Sequence, residues 1–201
     1  LGVFSRKYKI PIYGTKGTIE GIRCCHSLGK LPEGILHEIR VDEKFTLGGM
    51  KICPFAISHD AREPSGYRIE NQDKSVAVAT DLGKYDEYTV EHLKKLNAVV
   101  LEANHDIHML EVGPYPYPLK RRVMGDQGHL SNELSGRLLC DILHDELQYV
   151  VLGHLSKENN YAELAYETVK LEVSFGDNPY RGEDIPMMVA KRDTVSEVIT
   201  L

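Results

Sequence analysis

Three stretches decide how this chain reads: Val76-Ala77-Val78-Ala79-Thr80-Asp81, Ala98-Val99-Val100-Leu101-Glu102-Ala103-Asn104-His105-Asp106 and Tyr149-Val150-Val151-Leu152-Gly153-His154-Leu155-Ser156. In each, a short apolar run stops on residues that carry carboxylate, amide or imidazole groups. Short apolar runs followed by helical patterns read as buried strands. In layered α/β folds, ligands sit just beyond the carboxyl ends of such strands. Three strand ends that bring Asp81, Glu102 and His154 to one rim have the form of a metal site in a hydrolase.

The rest of the chain fits around these strands. Residues 1–8 read as the end of a helix and 10–13 as a short strand. Residues 15–29 are ambiguous, with a helix holding Ile19, Ile22 and Cys25 as one solution. Residues 37–58 have β texture. Gly48-Gly49 makes a two-residue hairpin turn between Phe45-Thr46-Leu47 and Met50-Lys51-Ile52. Asn71-Gln72-Asp73-Lys74 closes a second hairpin. After Asp81 the pattern alternates. A helix over 88–96 turns Val90, Leu93 and Leu96 inward, and a strand spans 98–101. Gly-Pro-Tyr-Pro-Tyr-Pro at 113–118 reads as a stiff, exposed loop held extended by three prolines. Ser131 caps a helix running to about 143, with Leu134, Leu138, Leu139 and Ile142 inward. A strand at 149–152, a helix at 162–170 and a last strand at 185–191 complete the series. There is no repeat, low-complexity tract or linker, so residues 1–201 read as one domain.

Composition sets the outer bounds. The 201 residues, 42% hydrophobic and 27% charged, make an ordinary globular balance. A net charge of -6 excludes a general polyanion-binding surface but leaves room for a local basic strip. No apolar run approaches the ~18 residues of a membrane span, and no secretory signal pattern is visible. Cys24, Cys25, Cys53 and Cys140 lack C-x-x-C spacing, so reduced thiols and a cytoplasmic location are expected. Cys24-Cys25-His26 reads either as a metal-binding cluster or as small buried hydrophobes.

Several residues could carry chemistry. His59, in Ser58-His59-Asp60-Ala61, ends a strand, and the hairpin that follows returns Asp81 beside it. Alone, it reads equally well as a hydrogen-bonded structural histidine. Asp81 directly follows a buried strand, where an isolated charge is costly. It is therefore paired, caps a helix, or bridges cations through its two oxygens. Glu102 is placed to orient or polarise a histidine. His105 and Asp106 either touch substrate or are solvated turn residues. His129 opens a helix, where free N–H groups favour anions. There it would contact a phosphate oxygen or protonate a leaving group, unless the segment is a plain cap. Gly-His-Leu-Ser occurs at both 128–131 and 153–156, which joins His154 to the same set. Ser131, Lys157 and Asn160 flank these histidines and, with His105, are candidates for substrate contact. Lys120-Arg121-Arg122 is the only basic cluster and, with Lys157, could hold backbone phosphates. His26, His37, His92, His108 and His144 are given no role.

The segments Ser58-His59-Asp60-Ala61, Thr80-Asp81-Leu82-Gly83, Leu101-Glu102-Ala103-Asn104-His105-Asp106, Gly113-Pro114-Tyr115-Pro116-Tyr117, Gly128-His129-Leu130-Ser131-Asn132 and Gly153-His154-Leu155-Ser156-Lys157-Glu158-Asn159-Asn160 occur in that order. Together they resemble a metallo-β-lactamase-fold hydrolase of the YycJ/WalJ type, and the pattern is also similar to the tRNA-processing ribonuclease Z branch. The resemblance implies an α/β (α+β) fold, the αββα sandwich, with a two-metal site at one edge. It implies His59 and His154 as metal-binding, Asp81 as the bridge, and Glu102 with His129 as a proton-handling pair. The implied cofactors are two divalent ions, zinc or manganese, and the implied reaction is phosphodiester hydrolysis by metal-activated water, most naturally in nucleic acid. A small phosphodiester or ester substrate is the alternative within the enzyme class. The motif His-x-His-x-Asp-His, which supplies most metal ligands in that family, does not occur in these residues. The resulting expectation is an amino-terminally truncated member lacking its first strands, with weak metal occupancy and little activity of its own. Exposed apolar surface would then favour a homodimer. A non-catalytic structural or interaction role is the rival reading.

Overall fold

A seven-stranded mixed sheet forms the body of the protein in the computed structural model, which describes residues 1–201. The chain enters through α1 (Gly2–Tyr8), β1 (Ile12–Thr15), α2 (Lys16–Cys24) and β2 (Leu36–Ile39). It continues as β3 (Phe45–Leu47), β4 (Met50–Ala56), β5 (Ser65–Asn71) and β6 (Lys74–Ala79). Next come α3 (Glu87–Leu93), β7 (Ala98–Glu102), α4 (Ile107–Val112), α5 (Tyr117–Val123) and α6 (Asn132–Ile142). Last are β8 (Tyr149–Gly153), α7 (Ala162–Phe175) and β9 (Met187–Val189).

The large sheet runs in sequence order from β3 to β9. β3 to β6 pair antiparallel, with two-residue turns joining β3 to β4 and β5 to β6 and a longer loop, which carries His59, joining β4 to β5; β6 to β9 pair parallel. The sense changes where the sequence changes from hairpins to strand–helix alternation, because parallel neighbours need a long crossover. Gly48 and Gly49 have φ of 57° and 84°, the left-handed conformations a two-residue hairpin turn demands. Parallel pairing leaves Ala79, Leu101 and Leu152 level with one another at the carboxyl ends of β6, β7 and β8. The polar residues just beyond them therefore share a rim.

β7 and β8 are buried along nearly their whole length, which explains their unbroken apolar character. β6 alternates instead, with Ala77 and Ala79 turned into the core and Val78 partly exposed. The core joins Phe55, Leu101 and Leu152 of the sheet to Leu93 of α3, Leu138 and Leu139 of α6, and Val169 of α7. Each such side chain contributes roughly 1.5–3 kcal/mol when fully buried. β1 and β2 pair in parallel as a second, two-stranded sheet. Tyr13 ties it to the large sheet by stacking on Phe45 at 5.5 Å, and Thr15 Oγ1 donates to the Glu63 carbonyl at 2.7 Å. The architecture is that of an α/β sandwich.

Three local readings need correction. The first strand lies at Ile12–Thr15 rather than 10–13. The proline-rich segment leaves its extended path at Tyr117 and becomes α5, with Pro118 in the first turn. That position lacks a helical N–H partner anyway, so proline starts the helix instead of blocking it. The short helix α4 was not foreseen. Its cap is Asp106, whose carboxylate accepts from Met109 N at 2.7 Å, a structural role the sequence reading did not assign.

Candidate metal centre

Asp81 and His154 leave their strands through the left-handed region, with φ of 60° and 58°. Aspartate and histidine tolerate this conformation better than most residues, at a cost of about 1 kcal/mol each. The other non-glycine residues with positive φ lie in turns, bends or helix caps.

Glu102, at the end of β7, has no solvent exposure, and both its oxygens are occupied. Oε1 accepts from His129 Nδ1 at 2.8 Å and from His154 Nδ1 at 2.7 Å. Oε2 accepts from the backbone N–H of Leu82 at 2.8 Å and of Leu130 at 3.3 Å. Burial is the largest influence on this carboxyl and works to raise its pKa. The hydrogen bonds from His129, His154 and the backbone outweigh it and hold the group below the ordinary range. Glu102 is therefore an ionised, saturated anchor. The same contact raises the pKa of His154, through its bond to Glu102 and against the effect of burial.

A carboxylate only accepts, so both Nδ1 atoms must be the donors, and in the neutral rings the Nε2 atoms carry the lone pairs. His59 is fixed in the same tautomer by a different partner, because its Nδ1 donates to the Gly128 carbonyl at 3.0 Å. The three rings stand in a row, His59 to His129 and His129 to His154 each 5.1 Å between centroids. Asp81 Oδ1 faces them, 3.7 Å from His59 Nε2, 3.5 Å from His154 Nε2 and 3.7 Å from His129 Nδ1. Ligand atoms of Asp81, Glu102, His129 and His154 all lie within 4.8 Å of one another. No other group of three such residues occurs, so Cys24-Cys25-His26 forms no cluster, and both thiols are exposed.

A family model described as a β-lactamase superfamily domain matches residues 3–154. The chain belongs to the β-lactamase superfamily. Among its curated relatives, exodeoxyribonuclease YycJ of Bacillus anthracis is 37% identical over 169 residues, covering 84% of this chain and 63% of that protein. Exodeoxyribonuclease WalJ of Streptococcus pneumoniae (strain D39) is 34% identical over 177 residues, 88% of this chain and 66% of the relative. The chain thus spans less than two thirds of the length of these relatives. The fold is shared with the metallo-β-lactamase fold protein YhfI of Bacillus subtilis (TM-score 0.60, 16% identity, 90% of this chain and 62% of the other). It is also shared with Zn(2+)-bound PqqB of Methylobacterium extorquens (TM-score 0.63, 15% identity, 93% and 65%).

Of the residues singled out in the sequence, this superfamily rim brings together His59, Asp81, Glu102, His129 and His154. Lys157 and Asn160 line a cleft of about 750 Å³ that opens beside His129 and His154. Asn160 has no free polar atom there. Its amide donates to the carbonyls of Ala103 and Asn104 and exchanges two bonds with the Asn132 amide. His105 and Ser131 do not reach the cleft, which corrects the expectation that they touch substrate. Both are 2% exposed, and they pair through the backbone as a β-bridge. Ser131 Oγ caps α6, and burial pushes the His105 ring down to about 4. The basic cluster is also largely engaged. Lys120 Nζ donates to the Glu111 carbonyl at 2.6 Å, and Arg122 grips Asp60, next to His59, through two bonds at 2.5 and 2.9 Å.

Two features escaped the sequence reading. Asn104 donates to the His154 carbonyl at 2.8 Å and so holds that residue's left-handed turn. Lys191 and Arg192, just past β9, join the cleft wall. The signal for them was present, since Met187-Met188-Val189-Ala190 stops on Lys191-Arg192 as the other strands stop on theirs.

Proposed function

We propose that this chain carries the phosphodiester-hydrolysing rim of a metal-dependent nuclease acting on DNA. The observation that carries the reading is three imidazoles fixed in one tautomer, their Nε2 lone pairs free, beside one shared carboxylate. This donor chemistry fits a divalent ion. His59, His154 and Asp81 would hold it, and Glu102 and the Gly128 carbonyl would act as the outer partners that metal-binding histidines usually have. Zinc or manganese suits mixed imidazole and carboxylate donors. Bound there, such ions supply a water of lowered pKa and positive charge for the leaving oxygen.

The chain's own residues do the rest. Glu102 orients His129 and balances the charge when that ring takes up a proton at Nε2. His129 accepts a proton from the attacking water or returns one to the leaving oxygen. Lys157 contributes positive charge in the cleft. The two relatives named as exodeoxyribonucleases support DNA as the substrate.

Metal titration and cleavage of linear DNA test the reading together. The expected result is about one Zn2+ or Mn2+ per chain, because three donors suffice for one catalytic-type site. That ion should be retained in His129→Ala and lost in Asp81→Asn and His154→Ala, with slow cleavage that ceases in chelator. A chain that takes up no divalent ion, or that cuts DNA equally well in chelator, would refute it.

A further inference from the structure

The cleft beside His129 and His154 carries an excess of positive charge. Its wall includes Arg122, Lys157, Lys191 and Arg192 and not one carboxylate, in a chain whose net charge is -6. Arg122 is already held by Asp60, which leaves the other three as the available cations. Topology explains two of them. β9 pairs parallel to β8, with Leu152 level with Val189, so the residues past β9 emerge beside His154. Arg192 is also pre-positioned, since its Nη2 donates to the Leu155 carbonyl at 2.7 Å and holds the guanidinium against the loop that carries His154. Lys191 is exposed and makes no hydrogen bond within the chain, and Asp193, which follows the pair, does not line the cleft.

The opposite requirement of a nucleic-acid strand is also met. Tyr115 stands in the same wall, between Pro114 and Pro116. Pro116 has the extended φ of -58° and ψ of 146°, and the flanking prolines limit backbone movement of the tyrosine. Cations that follow a phosphate backbone, combined with an aromatic ring that accepts a base face, are how proteins take unpaired strands. A duplex keeps its base faces covered and offers nothing for Tyr115. Size agrees, because pockets of roughly 300–1,000 Å³ enclose one drug-sized ligand, on the order of one or two nucleotides.

We infer that the cleft is a single-strand subsite, in which Lys157, Lys191 and Arg192 hold phosphates flanking the reacting one and Tyr115 stacks on an unpaired base. The inference rests on the nuclease reading for its substrate class, but binding tests it without turnover. The probe is a fluorescein-labelled single-stranded DNA decamer, with anisotropy followed against salt. Each phosphate contact to a single strand contributes about 0.7 to the slope of log K against log salt. Lys191→Ala/Arg192→Ala should therefore flatten the slope by about 1.4. Lys191→Glu, which disturbs no hydrogen bond, should flatten it by at least about 0.7. Tyr115→Leu should weaken binding about five-fold or more with the slope unchanged, because stacking is not ionic. Wild-type slopes in both cation variants, or wild-type affinity in Tyr115→Leu, would overturn the subsite. Hydrolysis of bis(4-nitrophenyl) phosphate by the wild type reports on the nuclease reading alone. Its absence beside altered slopes removes the catalysis and leaves the strand subsite standing.

Discussion

Replacing Glu102 by glutamine is the sharpest test of the centre, because it keeps the shape and changes only which atoms accept. Glu102 takes four N–H donors on two oxygens, two from rings and two from the backbone. Glutamine has one accepting oxygen. The backbone N–H groups of Leu82 and Leu130 cannot change, so that oxygen must face them and the new NH2 must face the rings. His129 and His154 are then forced to accept at Nδ1 and carry their protons on Nε2. Two charge-assisted bonds, worth about 1.5–3 kcal/mol each, become neutral ones worth about 0.5–1.5. The net loss is about 2 kcal/mol, or roughly 4–8 °C in Tm for a domain of this size. Metal affinity should fall about 10- to 100-fold, the usual effect of removing an outer partner of a ligating histidine. Calorimetric melting and Zn2+ titration measure both effects, and 15N shifts of the two rings report the tautomer directly. If Glu102→Gln binds Zn2+ as the wild type does, or both rings keep the proton on Nδ1, the assignment of Glu102 as the organiser of these histidines is wrong.

Two further outcomes follow from groups around the centre. The buried His105 ring titrates at about 4 against an ordinary 6.5, so below pH 6.5 the unfolded chain takes up the proton first. Stability is complete above pH 6.5 and is lost as the pH falls towards 4, by roughly 3 kcal/mol at 1.36 kcal/mol per pH unit. Urea midpoints at pH 7, 5 and 4 should show a shallower acid loss in His105→Leu, and equal slopes in both proteins would contradict this. Asn160→Ala strands the Ala103 carbonyl at the β7 end and the Asn132 amide at the start of α6, while the Asn104 carbonyl keeps its bond from Ser156 N–H. It should cost about 2–4 kcal/mol, and a urea midpoint within error of wild type would show that water replaces the amide.

How much was legible in the sequence depended on whether a residue's role was set locally. The strand ends were readable because apolar runs stop on Asp81, Glu102 and His154, and parallel register then fixes them side by side. The Gly48-Gly49 hairpin was readable because turn chemistry is local. The capping role of Asp106 was not legible because a carboxylate beside a histidine resembles a substrate contact or a turn residue as much as a helix cap, and only the path of α4 decides. His105 was misread for a related reason. Past a strand end the side-chain period no longer says which residue turns inward, and a bridge to Ser131 turned this one in. The basic cluster 120–122 looked free because its partners, Asp60 and the Glu111 carbonyl, come from other segments. Lys191 and Arg192 were overlooked because β9 is short and the chain beyond it is irregular.

Stability and chemistry meet in a single carboxylate. The Glu102 side chain hydrogen-bonds to the segment after β6 through Leu82, the turn before α6 through His129 and Leu130, and the end of β8 through His154. Each of these segments also carries or adjoins a group of the centre. A buried charge with fewer partners would be costly, so the folded arrangement and the ionised state of Glu102 require each other. The histidine tautomers follow from that ionisation, and the free Nε2 lone pairs follow from the tautomers. A loosening of the β7–β8 register that moves His154 away from Glu102 should therefore weaken metal binding before it unfolds the sheet. The left-handed turn at His154 marks where this would begin, since the Asn104 amide holds its carbonyl and the Glu102 carboxylate holds its ring.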